Sequence, residues 1–450
     1  MSPGSVFLHS ISGPPGTTLA RSLHSRPLLN APGRPLITPL PQPVAHVSGS
    51  GQLIDEAARD LPNVAATSEA IAVRLRRAGV SVEWREPVIF PSARAYVSFC
   101  HDRGRSSLAV ARVDPSLVPE LQLGSFFEHH ARGRVLRRVL SRLGLHRVLG
   151  RFPSARLLRV AGDLAFWAGV RSAATPTEWR RLTRSSYVAL AAHDIAGEGE
   201  PATEPPAIGA KRLERGIQLL RLLGWRPLSP DELQAFHDSP EATLRGRRYV
   251  LTIDHVSRDA YIALERRADV LPYVFVFTSY VGERAWESED EEAVTWDDLR
   301  ALAAIGGTIG SQGRHNRPLT KLNARTLERE LSRSLQELQA HVDVAFPLLA
   351  YPQGAHSARI REAARRVGYQ GAFTPNPGRN GAGTDLFGLR RIEISDSDGP
   401  ITFVWKAVTG CRVPWWWKPW RVGDLRARRA ARRRRARELA WTQRFRTLTR

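Results

Sequence analysis

Four short apolar segments rich in β-branched and aromatic residues, Tyr187–Ala191, Tyr249–Ile253, Tyr273–Thr278 and Phe346–Ala350, recur along this 450-residue chain. Stretches with helical spacing, such as Lys211–Leu223 and Ala324–Ala340, lie between them. Short runs that are apolar almost throughout belong to strands buried on both faces, and strands that alternate with helices build parallel sheets. Residues 187–410 are therefore expected to fold as one α/β unit on a parallel sheet or barrel.

The flanks read differently. The first fifty residues hold nine prolines and no acidic residue, and Pro-Gly and Pro-x-Pro punctuation suits neither helix nor strand, so residues 1–54 are expected to be a flexible leader. Residues 55–186 form a module whose role the sequence does not name. Its spacing is helical from about Asp55 to Val82 and strand-like near Val80–Trp84 and Ala95–Phe99. Between Arg132 and Arg159 the apolar set Val135, Leu136, Val139, Leu140 and Leu143 interleaves with Arg134, Arg137, Arg138 and Arg142, which makes a basic amphipathic helix. Such a helix either lies on an anionic membrane or packs its apolar stripe on a neighbouring domain; packing is the expectation.

No run approaches the roughly 18 consecutive apolar residues of a membrane span. The first residues lack a compact apolar core followed by a small-residue cleavage site. The chain is expected to be cytoplasmic or peripheral at the inner membrane face. Cys100 and Cys411 are too few for a disulfide framework or a cysteine-built zinc site, which fits a reducing compartment.

Three strand-like segments end in polar clusters. Tyr249-Val-Leu-Thr-Ile-Asp254-His255-Val-Ser-Arg-Asp259 is the first, and Gly307-Thr-Ile-Gly310-Ser311-Gln312-Gly313-Arg314-His315-Asn316-Arg317-Pro318 is the second. Leu349-Ala350-Tyr351-Pro352-Gln353-Gly354 is the third. Parallel α/β folds present catalytic side chains at the carboxyl ends of their strands, so three such blocks in one domain point to a shared cleft.

An ordered set of blocks from about Tyr187 to Gly410 resembles the polysaccharide deacetylase family, the NodB-homology hydrolases. The blocks are Tyr187-Val-Ala-Leu-Ala-Ala-His193, Leu222-Leu-Gly-Trp225-Arg-Pro-Leu-Ser229, Leu251-Thr-Ile-Asp254 and Val276-Phe-Thr-Ser-Tyr280-Val-Gly282. Thr295-Trp-Asp-Asp-Leu299, Ile309-Gly-Ser311, Ala350-Tyr-Pro352-Gln-Gly354, Gly368-Tyr369 and Leu389-Arg-Arg-Ile392-Glu-Ile394 follow in family order. The resemblance implies a deformed (β/α) barrel, here with an N-terminal extension and a basic C-terminal tail. It also implies removal of acetyl groups from glycans by metal-assisted hydrolysis. A site of this family usually carries two adjacent aspartates, the first a general base and the second a metal ligand, with two histidines four residues apart. The cation polarises the acetyl carbonyl and activates water while the base takes its proton.

This chain keeps the first aspartate as Asp254, the expected catalytic base. The usual ligand positions hold His255, Gln312 and Asn316. An amide oxygen is a poor zinc donor beside imidazole or carboxylate. A divalent, zinc-like cation is thus expected only if the site is rebuilt, with His255 and His315 as ligands beside Asp254. Tyr351 and Pro352 are the expected substrate-binding residues. Tyr351 stacks on a sugar or offers its backbone N–H to an oxyanion, or else serves as a core aromatic.

Charge adds a location. Lys and Arg total 66 against 44 Asp and Glu, a formal net charge of +22. Residues 411–450 alone hold fourteen basic and two acidic residues, with Trp415, Trp416, Trp417 and Trp420 ahead of an arginine run. Aromatic anchors beside a polybasic segment suit peripheral contact with an anionic membrane, and nucleic acid, argued from charge alone, ranks last. Two readings follow: a hydrolase acting on C–N bonds of acetylated polysaccharide or its precursor, and a catalytically inactive glycan-binding member of the same family.

Overall fold

The computed structural model describes residues 7–8, 20–24, 43–48, 56–62, 67–78, 82–87, 90, 92–128, 131–152, 154–196, 207–239, 241–254, 256–266, 270–282 and 294–413. A four-stranded antiparallel sheet in the order β1 (Phe7–Leu8), β2 (Ala20–His24), β3 (Pro43–Ser48), β4 (Val82–Pro87) occupies the amino-terminal part. The leader expected over residues 1–54 therefore contributes three strands. Pro43 is compatible with β3 because it stands at the first position, beside a register shift, where a missing N–H costs no regular ladder bond.

A helical module follows: α1 (Thr67–Arg77), α2 (Ala93–Val113), α3 (Ala131–Leu140), α4 (Leu145–Leu149), α5 (Ala155–Ala173) and α6 (Pro176–Thr183). The alternation at Ala95–Phe99 lies inside α2, whose start is fixed by Ser92 accepting from the Ala95 N–H. Helices α2 and α5 pack at glycines. A Cβ on Gly169 would sit 1.9 Å from His101 O, and one on Gly104 would sit 2.1 Å from Phe166 O. The predicted basic helix over Arg132–Arg159 is three pieces, interrupted at Gly144, whose φ of 65° no regular helix accepts. Its orientation also departs from expectation. Arg134 and Arg137 are buried, whereas Val135, Leu136, Val139 and Leu143 are exposed.

The barrel begins at β5 (Ser186–Ala192) and continues through α7 (Ala210–Leu222), α8 (Pro230–Asp238), β6 (Arg247–Asp254), α9 (Arg258–Glu265) and β7 (Pro272–Val276). Next come α10 (Trp296–Ala304), β8 (Thr308–Ser311), α11 (Ala324–His341), β9 (Leu348–Ala350), α12 (Ala358–Val367) and β10 (Gly371–Thr374). Parallel ladders join β5, β6, β7, β8, β9 and β10 in that order. The circuit closes through one short segment. Its first half, β11 (Leu389–Arg390), pairs with β10, and its second half, β12 (Ile392–Glu393), pairs with β5. Arg391 is the single residue between them. The last helix, α13 (Pro400–Thr409), stops at Gly410 in the left-handed region, φ 68°.

Strand alternation divides the core in two. Tyr187, Ala189, Val250, Tyr273, Phe275, Leu348, Ala350, Phe373 and Leu389 fill the interior. Their neighbours Val188, Leu190, Leu251, Ile253, Val274 and Ile309 face the surrounding helices. Helix α11 covers its sector with Leu327, Leu331 and Leu335, an i, i+4 file in which each buried leucine contributes about 1.5–3 kcal/mol.

The helical module attaches where the strands start. Phe127 lies over Gly381, which pairs with Ser186 at the beginning of β5. The Arg181 guanidinium donates to Ser239 O at 2.7 Å and Ala242 O at 3.1 Å, just ahead of β6, and Arg134 donates to Thr409 O at 3.1 Å.

Candidate active site at the mouth of the barrel

On β6 the residues Val250, Thr252 and Asp254 share the inward face, and Asp254 is the last of the file, at the carboxyl end of the strand. Opposite it, alternation from Leu389 turns Arg391 inward as well. Arg391 Nη1 donates to Asp254 Oδ1 at 2.6 Å and to Thr252 Oγ1 at 3.4 Å, Nε donates to Thr374 O at 3.4 Å, and the guanidinium carbon lies 5.9 Å from the Phe373 ring centre. The two side chains are 6% and 15% exposed. A charge-assisted bond in such a setting fixes the carboxylate's direction. Asp254 thus stands at the rim of the barrel with one oxygen held.

The turn after β8 is clamped from two sides. Gly310 faces inward, where the Phe275 ring fills the space a Cβ would take, and two residues on Gln312 is 4% exposed, its backbone N–H donating to Val276 O at 2.8 Å. The Gln312 side-chain oxygen is buried and has no hydrogen-bond partner among the described residues. His315 is tied to α11: its backbone N–H donates to Glu330 Oε1 at 2.6 Å, and its ring Nδ1 lies 3.1 Å from both Glu330 oxygens. Arg314 pairs with Glu337 at 2.8 Å, and Glu337 also accepts from Thr278 Oγ1 at 2.6 Å. Asn316 Oδ1 accepts from Gln353 Nε2 at 3.2 Å, joining the turn after β8 to the turn after β9.

Tyr351 follows the outward file set by Leu349, not the inward one set by Ala350. Its side chain is 2% exposed, its hydroxyl donates to Phe387 O at 2.9 Å, and its backbone N–H donates to Phe373 O at 3.2 Å. Neither a ring face nor an N–H is left for a sugar or an oxyanion, so in this conformation Tyr351 anchors the turn. Pro352 is buried beside it. Gln353 is the exposed member of the turn and takes φ 52°, a conformation non-glycine residues rarely adopt. His356 stacks on Tyr351 at 5.4 Å and donates from Nδ1 to Gly354 O at 2.9 Å.

A zinc-type centre needs three or four imidazole, thiolate or carboxylate donors. Among the described residues no group of three His, Cys, Asp or Glu side chains comes together in that way. His255 lies outside the described residues. Of the other positions, Gln312 and Asn316 offer amides, the Asn316 oxygen is engaged, and the His315 ring is held by Glu330. The described side chains do not fit a tightly held zinc ion.

Two participants escape a reading of the sequence. Arg391 sits in a block whose apolar positions are conspicuous and whose arginines are not. Glu330 betrays itself only as a carboxylate on the leucine face of α11. A separate cavity of about 650 Å³, lined by Arg226, Glu232, Phe236, Arg247 and Arg248, opens near the strand starts, away from Asp254.

The chain is similar to the solved Streptococcus pyogenes deacetylase PplD in complex with acetate, at 19% identity over 49% of this chain and 98% of that one, with a TM-score of 0.42. It is similar to IcaB from Ammonifex degensii at 18% identity over 50% and 96%, TM-score 0.41. A de-N-acetylase from Aggregatibacter actinomycetemcomitans gives 18% identity over 48% and 98%, TM-score 0.42. No curated protein matches the chain. Residues 242–372, which carry Asp254, Gln312, His315 and Tyr351 within the parallel barrel, match the polysaccharide deacetylase family model.

Proposed function

We propose that this chain is a polysaccharide deacetylase-like hydrolase acting on the C–N (amide) bond of acetylated glycans or their precursors, with Asp254 accepting the proton of the attacking water. The observation that carries this reading is the Asp254 carboxylate at the barrel mouth, fixed at one oxygen by Arg391 at 2.6 Å. Arg391 is the positioning residue. A second reading, an inactive glycan-binding member, is favoured by the amides of Gln312 and Asn316 and by the engagement of His315 with Glu330.

Acetate release from acetylated chitooligosaccharides and other acetylated glycans by the purified chain, against Asp254→Ala, tests the hydrolase. Release that disappears in the variant supports it. Glycan binding without release above the variant supports the second reading, and neither binding nor release removes both for those substrates.

Residues 411–450, of which 414–450 lie outside the described residues, are proposed as a peripheral contact with anionic membrane on the inner face, on the grounds of their tryptophans and arginines. No helix among the described residues is long and apolar enough to cross a membrane. Unchanged binding to anionic vesicles after deletion beyond Gly410 would remove the tail from this role.

A further inference from the structure

Helices α3, α4 and the start of α5 are turned the wrong way round for a protein in water. Val135, Leu136, Val139, Leu143, Val148 and Phe152 are exposed, Leu143 by 71%, while Arg134 and Arg137 of the same helix are buried. Specific bonds enforce this rotation. Arg137 makes a two-pronged pair with Asp163, at 2.6 and 2.5 Å, and lies 5.9 Å from the Trp167 ring centre. Arg134 reaches Thr409 O and lies 5.9 Å from the Phe127 ring centre. Turning the apolar stripe inward would break the Arg137 pair and leave the half-buried Asp163 carboxylate without that partner, so the stripe stays outside.

The surroundings of the stripe select its occupant. Residues 131–162 contain nine arginines and no Asp or Glu. Arg142, Arg147, Arg151, Arg156 and Arg159 are exposed on the same helices and the turns between them, and α3 and α4 both pack on α5. A second copy of the chain across a two-fold axis would set these arginines against their own images. The terminal segment 411–450 is itself strongly basic and is repelled for the same reason. Nucleic acid would answer the charges but leave six large aliphatic and aromatic groups in water. An anionic lipid surface satisfies both, taking the apolar side chains at the acyl boundary and the guanidinium groups at the phosphates.

We infer that α3, α4 and the start of α5 form a docking face for an anionic phospholipid membrane, separate from the terminal segment. The module joins the barrel at the strand starts, so docking through it leaves the Asp254 mouth at the opposite end of the barrel.

Cosedimentation of the full chain with vesicles of phosphatidylcholine alone, and of phosphatidylcholine with phosphatidylglycerol, tests this. Leu143→Asp with Phe152→Asp, both at exposed positions, should leave the melting temperature unchanged and weaken binding to the anionic vesicles by roughly a hundredfold. Arg142→Gln and Arg147→Gln should each weaken it about fivefold and reduce its salt dependence. Anionic-vesicle binding by the aspartate variant equal to that of the original chain overturns the proposal, as does absence of binding by the original chain. A change in sedimentation-velocity mass of the variant without lipid also overturns it, since the face would then be covered by a second copy.

Discussion

Arg391 holds Asp254 across the seam of the barrel, Nη1 to Oδ1 at 2.6 Å, and no other residue separates the two half-strands that close the circuit. The pair ties the carboxylate at the mouth to the last step of barrel closure. Both side chains are largely out of water, so removing one leaves the other charged without its counter-ion.

Arg391→Ala should therefore destabilise the fold by about 3–5 kcal/mol in urea unfolding. Asp254→Asn keeps an acceptor for Arg391 and should cost less than about half of that while abolishing any acetate release. Equal losses in the two variants would show that the bond does not govern stability.

The contact between α2 and α5 leaves no room for a methyl group at Gly169, where a Cβ would lie 1.9 Å from His101 O. Gly169→Ala should destabilise by about 1–3 kcal/mol, because backbone atoms rather than a flexible side chain must move. The control is Gly246→Ser. Open space surrounds Gly246, whose φ of 73° makes its substitution a purely conformational cost of about 1–2 kcal/mol.

His237 is half-buried against Tyr187, whose hydroxyl lies 3.2 Å from Nε2. Burial, with the Arg181 charge nearby, pushes the imidazole down from its usual 6.5 to about 3. Between those values only the unfolded chain takes up the proton, so stability contributed by the neutral ring is complete above about pH 6.5 and is lost as pH falls toward 3. Thermal melts from pH 7 downward should show this decline, and His237→Gln should flatten it. A slope identical in the variant would assign the decline to other groups.

Wild-type protein should show no zinc-dependent rise in melting temperature after chelator treatment. Gln312→His with Asn316→His should gain one, worth about 2.7 kcal/mol at a hundredfold excess over the dissociation constant. A comparable rise in the unmodified chain would mean that a site exists which the described side chains do not reveal.

The strands at Tyr187, Tyr249 and Tyr273 and the helices at Lys211 and Ala324 were legible because double burial leaves uninterrupted apolar runs and single-sided burial leaves a helical period. Asp254 was legible because it terminates such a run. Arg391 was not, since its meaning depends on a partner 137 residues away. Tyr351 was ambiguous until the inward file through Ala350 fixed its parity. Periodicity at Val135 and Leu143 reports a helix with two unlike faces, not which face turns inward. The pair of Arg137 with Asp163 made that choice.

Closure of the barrel rests on two half-strands of two residues each, with two register pairs toward β10 and two toward β5. Every other stave from β5 to β7 is held along at least four positions. Opening of this seam under thermal fluctuation releases the arginine that aims the carboxylate. Breathing of the scaffold and loss of aim at the mouth become one event, which makes the exchange rate of the Arg391 amide, bonded to Asn376 O at 3.0 Å, a direct clock for the readiness of the site.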